Sequence, residues 1–201
     1  MYVEHHRGPE KPRFFADRLG AVFSHENAAP FSVFLEVMIM KKVGIIMGSD
    51  SDLPIIKKAT DTLKALEIPS EVHIYSAHRT PEQARDFAVN ARANGFGVLI
   101  AAAGMAAHLA GAIAANTTLP VIGIPCKSSV LDGMDALLST VMMPTGIPVA
   151  TVAINGGGNA ALLAAQILAV EDTALAARLD AKRAADAAVV LEKDALVMEK
   201  L

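Results

Sequence analysis

The sequence predicts an α/β fold built on a parallel β-sheet, and three observations support this prediction. From residue 43 onward, short apolar runs alternate with longer amphipathic segments, which is the pattern of β-α-β units. Stretches rich in Gly, Ser, His and Asn follow the apolar runs, where a parallel sheet gathers its ligand-binding loops. The 201 residues, 53% of them hydrophobic, are enough for one core.

The strands and helices can be assigned in order along the chain. Apolar runs predict strands at 43–47, 70–75, 97–102, 119–124 and 148–154. Amphipathic spacing predicts helices at about 52–68, 80–94, 104–116, 132–141, 159–170 and 173–201. We expect Asp52 to cap the first helix, with Pro54 in its first turn, and Gly95 to end the second.

Five strands with intervening helices predict a flavodoxin-like doubly wound parallel sheet in three αβα layers, with a C-terminal helical extension. Right-handed crossovers favour the strand order 2-1-3-4-5, with a crevice between the first and third strands. The loops after strands one, two, three and five are expected to gather on one rim of this sheet. Polar residues in those loops are therefore the candidates for a functional site.

Changes in pattern along the chain predict its domain organisation. Residues 1–40 are polar, broken by Pro and without sustained periodicity, so we expect an N-terminal appendage and a native start at Met38 or Met40. Residues 41–170 carry the predicted catalytic domain. Residues 171–201 form a long, charged, Ala-rich helix with unused apolar positions, which we expect to pack on a neighbouring subunit.

Composition argues against several classes of function. The net charge of -3 and the scattered Lys and Arg residues provide no basic surface for nucleic acid. The single Cys126 cannot form an internal disulfide, and no apolar run reaches the ~18 residues of a membrane-spanning helix. We expect a cytoplasmic protein without nucleic-acid or membrane partners.

The loop after the first strand is suited to binding an anion. Free backbone N–H groups at a helix start, together with the hydroxyls of Ser49 and Ser51, can hold a phosphate. These residues and Asp52 are also ordinary helix caps, so both interpretations stay open for this loop alone. The loop lacks the Gly-x-Gly-x-x-Gly of dinucleotide-binding proteins and the Gly-Lys-Ser/Thr of P-loops. NAD and ATP are therefore not expected.

Histidine provides the sharper signal. His78 lies beside Arg79 in the loop after the second strand, where an imidazole is poorly placed for a core and well placed for proton transfer. His108, near a helix start, could contact a ligand or pack against the sheet rim. His73 is expected to be a satisfied or surface strand residue, and Cys126 a small core or loop residue. No metal-ligand spacing is present, so no metal site is expected.

Motifs in separate loops resemble one known family. They are Met47-Gly48-Ser49-x-Ser51-Asp52, Ser76-Ala77-His78-Arg79-Thr80-Pro81, Ala106-Ala107-His108-Leu109, Gly123-Ile124-Pro125, Met143-Pro144-x-Gly146-Ile147-Pro148 and Asn159-Ala160-Ala161-Leu162. In order and spacing, over residues 42–169, they resemble the class I 5-(carboxyamino)imidazole ribonucleotide mutases, the catalytic subunit of the phosphoribosylaminoimidazole carboxylase system. Met105 and Ala110 depart from this family's usual pattern, which has Gly and Pro there.

The resemblance implies a reaction and a set of site residues. A carboxylate moves from the exocyclic nitrogen to a ring carbon of the substrate in purine (IMP) biosynthesis, without metal or cofactor, in a homo-octamer. His78 is implied as the general acid and base, a role suited to a group that titrates near neutral pH. Asp52 would accept from ribose hydroxyls, and Arg79 with Ser51 would bind the phosphate. The implied substrate contacts are Ser49, Ser51, Asp52, Ser76, Arg79, Gly104, Ala106, Ala107 and His108.

Two alternatives to this function stay open. A class II enzyme would carboxylate the uncarboxylated ribonucleotide directly with carbon dioxide. A non-catalytic nucleotide-binding domain on the same fold would keep the motifs without turnover. A receiver domain is not expected, because the third strand ends in Ala and Gly where such domains have a phosphorylatable Asp.

Overall fold

The structure is a computed structural model that describes residues 40–198. The predicted N-terminal appendage and native start fall on residues outside this range, apart from Met40. Within residues 40–198, no helix combines the length and the apolar character needed to cross a membrane.

The described chain contains one parallel sheet of five strands, in the order β2-β1-β3-β4-β5. The strands are β1 (Lys42–Met47), β2 (Ser70–Ile74), β3 (Phe96–Gly104), β4 (Val121–Cys126) and β5 (Ala150–Thr151). The helices are α1 (Leu53–Ala65), α2 (Pro81–Asn90), α3 (Leu109–Ala114), α4 (Met134–Val141), α5 (Gly157–Leu168) and α6 (Thr173–Ala195). The predicted strand order is confirmed.

Alternate residues of the central strands supply two hydrophobic cores, one on each face of the sheet. Val43 and Ile45 of β1 pack with α1 and α5, whereas Ile46 packs with α2 and α3. Helix α4 lies on this second face, since a Cβ on Gly123 would collide with Thr140 of that helix. Helices on both faces explain why the central strands read as continuous apolar runs, and they confirm the three-layer flavodoxin-like fold.

Several predicted element ends are wrong, and the backbone shows why. Strand β5 covers two residues rather than 148–154, because Pro148 has no N–H for the start of the ladder and Pro125 of β4 has none to continue it past Val152. Helix α4 begins at Met134 rather than 132, because Asp132 and Gly133 have φ values of 52° and 93°, outside the right-handed helical region. Helix α2 ends at Asn90 instead of 94.

Helix α6 has two unlike halves. Its start is anchored: the Asp172 carboxylate accepts from the Leu175 N–H at 2.8 Å, and Leu175 is buried in the core. Arg178 Nε donates to the Leu66 carbonyl at 3.1 Å, which ties α6 to the end of α1. From residue 183 to 198 every side chain is exposed. The packing of this outer half on a neighbouring subunit stays a prediction.

Candidate active site

A cleft of about 640 Å³ lies at the carboxyl edge of the sheet, between the loops that follow β1, β2, β3 and β4. This is where open parallel sheets bind ligands. Every site residue predicted from the sequence lines it: Ser49, Ser51, Asp52, Ser76, His78, Arg79, Gly104, Ala106, Ala107 and His108.

The loop after β1 is closed by a short 3-10 turn at Asp50–Asp52 rather than by a direct helix start. Ser49 Oγ caps this turn by accepting from the Ser51 N–H at 3.3 Å. Asp52 occupies the predicted N-cap position of α1, which is confirmed, but its side chain makes no capping hydrogen bond. Asp52 is instead a buried residue, 8% exposed, with Cys126 of β4 near its side chain.

Burial gives Asp52 an unusual electrostatic setting. Desolvation raises the pKa of its carboxyl above the ordinary value, although the nearby polar groups of Cys126, Ser49 and Ser51 oppose the rise. Burial, with the nearby Asp52 charge, also raises the pKa of the Cys126 thiol to about 12. Cys126 is 2% exposed at the end of β4, so it is a core residue, as expected, and not an activated nucleophile.

The loop after β2 is ordered by hydrogen bonds within it. Ser76 Oγ accepts from the N–H groups of His78 and Arg79 at 3.3 and 3.2 Å, and Thr80 Oγ1 accepts from the Ser76 N–H at 2.8 Å. The Arg79 guanidinium donates to the Gly48 carbonyl at 2.7 Å, which joins this loop to the one after β1. The His78 side chain is left exposed at the wall of the cleft.

The loop after β3 brings a second histidine opposite the first. The rings of His78 and His108 are stacked, with centroids 6.0 Å apart and an angle of 12° between their planes. Next to His108, Ala107 is buried, and Met105 has a φ of 56° in the left-handed region. The geometry favours ligand contact over rim packing for His108, since its side chain is exposed and lines the cleft.

His73 lies outside the cleft, as expected. On edge strand β2 its Nε2 lies 2.8 Å from Glu71 Oε1, and its ring stacks on Tyr75 with centroids 4.8 Å apart. The hydrogen bond with His73, and a second with Lys42, lower the pKa of the Glu71 carboxyl. This histidine has a structural partner and serves below as a control.

Comparison with known proteins identifies the family. A family model described as AIR carboxylase matches residues 42–188, well over half of the chain. The chain belongs to the AIR carboxylase family. The family resemblance drawn from the loop motifs is thereby confirmed.

Relatives of this AIR carboxylase family member include two curated enzymes and a solved structure. The N5-carboxyaminoimidazole ribonucleotide mutase of Pyrococcus abyssi is 57% identical over 132 residues, covering 66% of this chain and 76% of that protein. The enzyme of the same name from Brucella melitensis is 56% identical over 153 residues, covering 75% and 94%. The crystal structure of Treponema denticola PurE superposes with a TM-score of 0.71 at 31% identity, covering 77% of this chain and 97% of that one.

One wall of the cleft is formed by residues that were not predicted from the sequence. Lys127, Ser128 and Ser129, in the loop after β4, also line it. The Lys127 N–H donates to Asn155 Oδ1 at 2.8 Å, and its ammonium lies 2.9 Å from Asp132 Oδ1. The only feature of the sequence that could have indicated these residues is their position after a strand, because loops that follow the strands of a parallel sheet lie at this edge.

Within residues 40–198, no group of three or more His, Cys, Asp or Glu side chains comes together in a way that could hold a metal ion. The lining of the cleft includes hydroxyls, two imidazoles, a buried carboxylate and two cationic side chains.

Proposed function

We propose that this AIR carboxylase family member is a mutase. It moves the carboxylate of 5-(carboxyamino)imidazole ribonucleotide from the exocyclic nitrogen to the ring carbon, giving 5-amino-1-(5-phosphoribosyl)imidazole-4-carboxylate in de novo purine biosynthesis. The observation that best supports this function is the position of His78. Its side chain is exposed on the wall of the cleft, and its ring centroid lies 6.0 Å from that of His108. Relatives more than half identical are named as mutases of this kind.

His78 handles the protons of this reaction. The nitrogen–carbon bond of the carbamate breaks and carbon dioxide leaves, while the exocyclic nitrogen takes a proton from the His78 imidazolium. The electron pair of the ring carbon then bonds to carbon dioxide. His78 removes the proton from that carbon, which restores the aromatic ring and the imidazolium. General acid–base catalysis of this type is typically worth ~10²–10⁴-fold.

The remaining residues bind and orient the substrate. Asp52 accepts from the ribose hydroxyls, and Arg79 with Ser51 binds the phosphate. Lys127 lies on the far side of the cleft from Arg79, since their loops follow β4 and β2 with β1 and β3 between. Cations on two sides match a substrate with a phosphate at one end and a carboxylate at the other. Ser49, Ser76, Gly104, Ala106, Ala107 and His108 complete the contacts around the base and the carboxylate.

The family resemblance also supports a proposal about the oligomeric state, the compartment and the cofactors of the enzyme. We place the enzyme in the cytoplasm as a homo-octamer that needs no metal, nucleotide or organic cofactor. The exposed apolar side chains Val189, Val190 and Leu191 on the outer half of α6 support assembly. Analytical ultracentrifugation tests whether the protein is an octamer. Truncation of the chain at residue 183, which removes the outer half of α6, should lower the stability of the octamer.

Proton NMR of the purified protein with carboxyamino substrate tests the activity. With EDTA present and ATP absent, we expect the carboxylate to migrate to the ring carbon. A parallel sample contains the uncarboxylated ribonucleotide and bicarbonate. Fast carboxylation there, without migration in the first sample, indicates the class II reaction; binding without either reaction indicates a non-catalytic domain.

A further inference from the structure

Met105 has an uncommon backbone conformation at the edge of the cleft. It follows Gly104 at the end of β3 and has a φ of 56°, in the left-handed region that glycine adopts freely and other residues disfavour. Unfavourable backbone conformations of this kind tend to persist at functional sites. A long apolar side chain is thus held at a position where glycine would fit with less strain.

The Met105 side chain is also unlike the rest of the cleft lining. The other lining residues are polar, or are Gly and Ala, except for Leu109. Leu109 is 3% exposed and belongs to the core, whereas Met105 is 69% exposed. Within the described lining, Met105 is therefore the one large apolar side chain that is exposed. Its flexible thioether packs well against the edges of aromatic rings.

Carboxylate transfer proceeds in the family with the usual Gly at this position, and the apolar side chain of Met105 gives this chain an additional surface suited to that chemistry. After the nitrogen–carbon bond breaks and before the carbon–carbon bond forms, the carboxylate exists as carbon dioxide, which is lost if water replaces it beside the ring. The polar groups of the cleft attract water. An apolar side chain on the open side would exclude that water and keep carbon dioxide at the reacting carbon.

We propose that Met105 covers the bound imidazole ring and retains the released carbon dioxide, as a positioning residue that sets the fraction of substrate reaching product. This inference rests on the mutase function proposed above. It assigns no proton transfer to Met105. Removal of the side chain should therefore change the partition of the carboxylate carbon between product and free carbon dioxide, and should leave cleavage of the carbamate unchanged.

The test uses substrate labelled with carbon-13 in the carboxylate and follows two products by NMR. One is the ring carboxylate, and the other is free carbon dioxide with bicarbonate, corrected for decarboxylation without enzyme. For Met105→Gly and Met105→Ala we expect the released fraction to rise about tenfold, the size that loss of one apolar contact gives. Met105→Leu, which restores apolar volume, should return the partition close to that of the unchanged protein.

Two controls separate the effect from damage to the fold. Met105→Gly relieves the backbone strain, so its Tm should equal or exceed that of the unchanged protein. Met142→Ala removes another exposed methionine, 77% exposed and outside the cleft lining, and should leave the partition unchanged.

The outcomes distinguish this inference from the proposed function. Equal partition in the unchanged protein, Met105→Gly and Met105→Ala would overturn the covering role and leave the mutase function standing. If the unchanged protein gives no ring carboxylate at all, the mutase function fails and the inference fails with it. A raised released fraction in both small variants, reversed in Met105→Leu, supports both.

Discussion

Two loops at the same edge of the sheet each present a histidine to the cleft, and they hold it by different means. In the loop after β2, side-chain oxygens of Ser76 and Thr80 bind the backbone N–H groups around His78. In the loop after β3, His108 follows a residue in the left-handed conformation, Met105, and the cap position of α3 has no side-chain hydrogen bond.

The difference separates two tasks. A proton donor and acceptor must keep one orientation through the reaction, and a polar network restricts it. A binding group needs only to be presented, and backbone conformation with packing is enough for that. We therefore expect changes at His78 to act on kcat and changes at His108 to act on KM.

The largest effect should follow from making the same substitution in both loops. His78→Asn should lower kcat by at least ~10²-fold while substrate still binds, because the acid and base is lost. His108→Asn should raise KM by about tenfold, the size of one lost hydrogen bond to a charged group, with a smaller change in kcat. Steady-state kinetics with the carboxyamino substrate measures both.

His73→Asn is the matched control for these two variants, since His73 pairs with Glu71 outside the cleft. Its kinetics should equal those of the unchanged protein. If His108→Asn lowers kcat more than His78→Asn does, the two loops have been assigned the wrong tasks.

A second prediction concerns Asp52, which lies between the two loops. Asp52→Asn should lower kcat/KM by about 10–100-fold, since charge-assisted hydrogen bonds to the ribose are worth ~1.5–3 kcal/mol. The same variant should melt at a higher temperature at pH 7, because it removes a carboxylate that burial destabilises. Kinetics and thermal melts of the two proteins give both quantities.

The pH dependence of the melting difference follows from the raised pKa of Asp52. Between the ordinary carboxyl pKa and the higher folded-state pKa, the folded protein holds a proton that the unfolded chain has lost, so stability falls as pH rises. The advantage of Asp52→Asn should therefore shrink as pH falls through this window. A difference that stays constant down to the ordinary carboxyl pKa would show that buried charge is not its cause.

A smaller effect on activity should come from removing hydrogen bonds within the loop after β2. Ser76→Ala removes the acceptor for two backbone N–H groups, and we expect kcat/KM to fall by about fivefold to tenfold, the size of one ordinary hydrogen bond. Ser139→Ala is the matched control, because Ser139 bonds the Asp135 carbonyl on α4, outside the cleft. Equal kinetics for the two variants would mean that the network does not order His78.

The last prediction concerns the buried end of β4 and involves no change in activity. Cys126 is the single cysteine, is 2% exposed and has a pKa of about 12, so almost none of it is thiolate at pH 8. Iodoacetamide should label it at least ~10²-fold more slowly in the folded protein than in urea. Mass spectrometry over time measures this labelling, and fast labelling would show that this end of β4 opens readily.

Much of the fold was predictable from local sequence. The strands β1, β3 and β4 are buried on both faces, so each reads as an apolar run that no surface helix would show. The errors lie where tertiary structure overrides local preference. Asp132 is a different case, because the Asp-Gly pair that it forms with Gly133 is itself a turn signal, and both residues have a positive φ.

Most of the site was predictable because topology alone brings strand ends together. The contribution of Lys127 was missed because the fourth strand was expected to end at 124, whereas it runs to Cys126 and carries Lys127 to the edge. The burial of Asp52 was also missed, because its partner Cys126 lies far away in sequence. Contacts of this kind appear only when the strands are placed side by side.

The brevity of β5 has a consequence for how copies of this protein can associate. At that border of the sheet, Ala150 and Thr151 offer only two residues of ladder to an incoming chain. An outermost strand this short is a poor template for continuous β-pairing between molecules. Growth of the sheet past this border is therefore disfavoured, and the exposed apolar side chains Met134 and Leu138 lie on the surface of helix α4 instead.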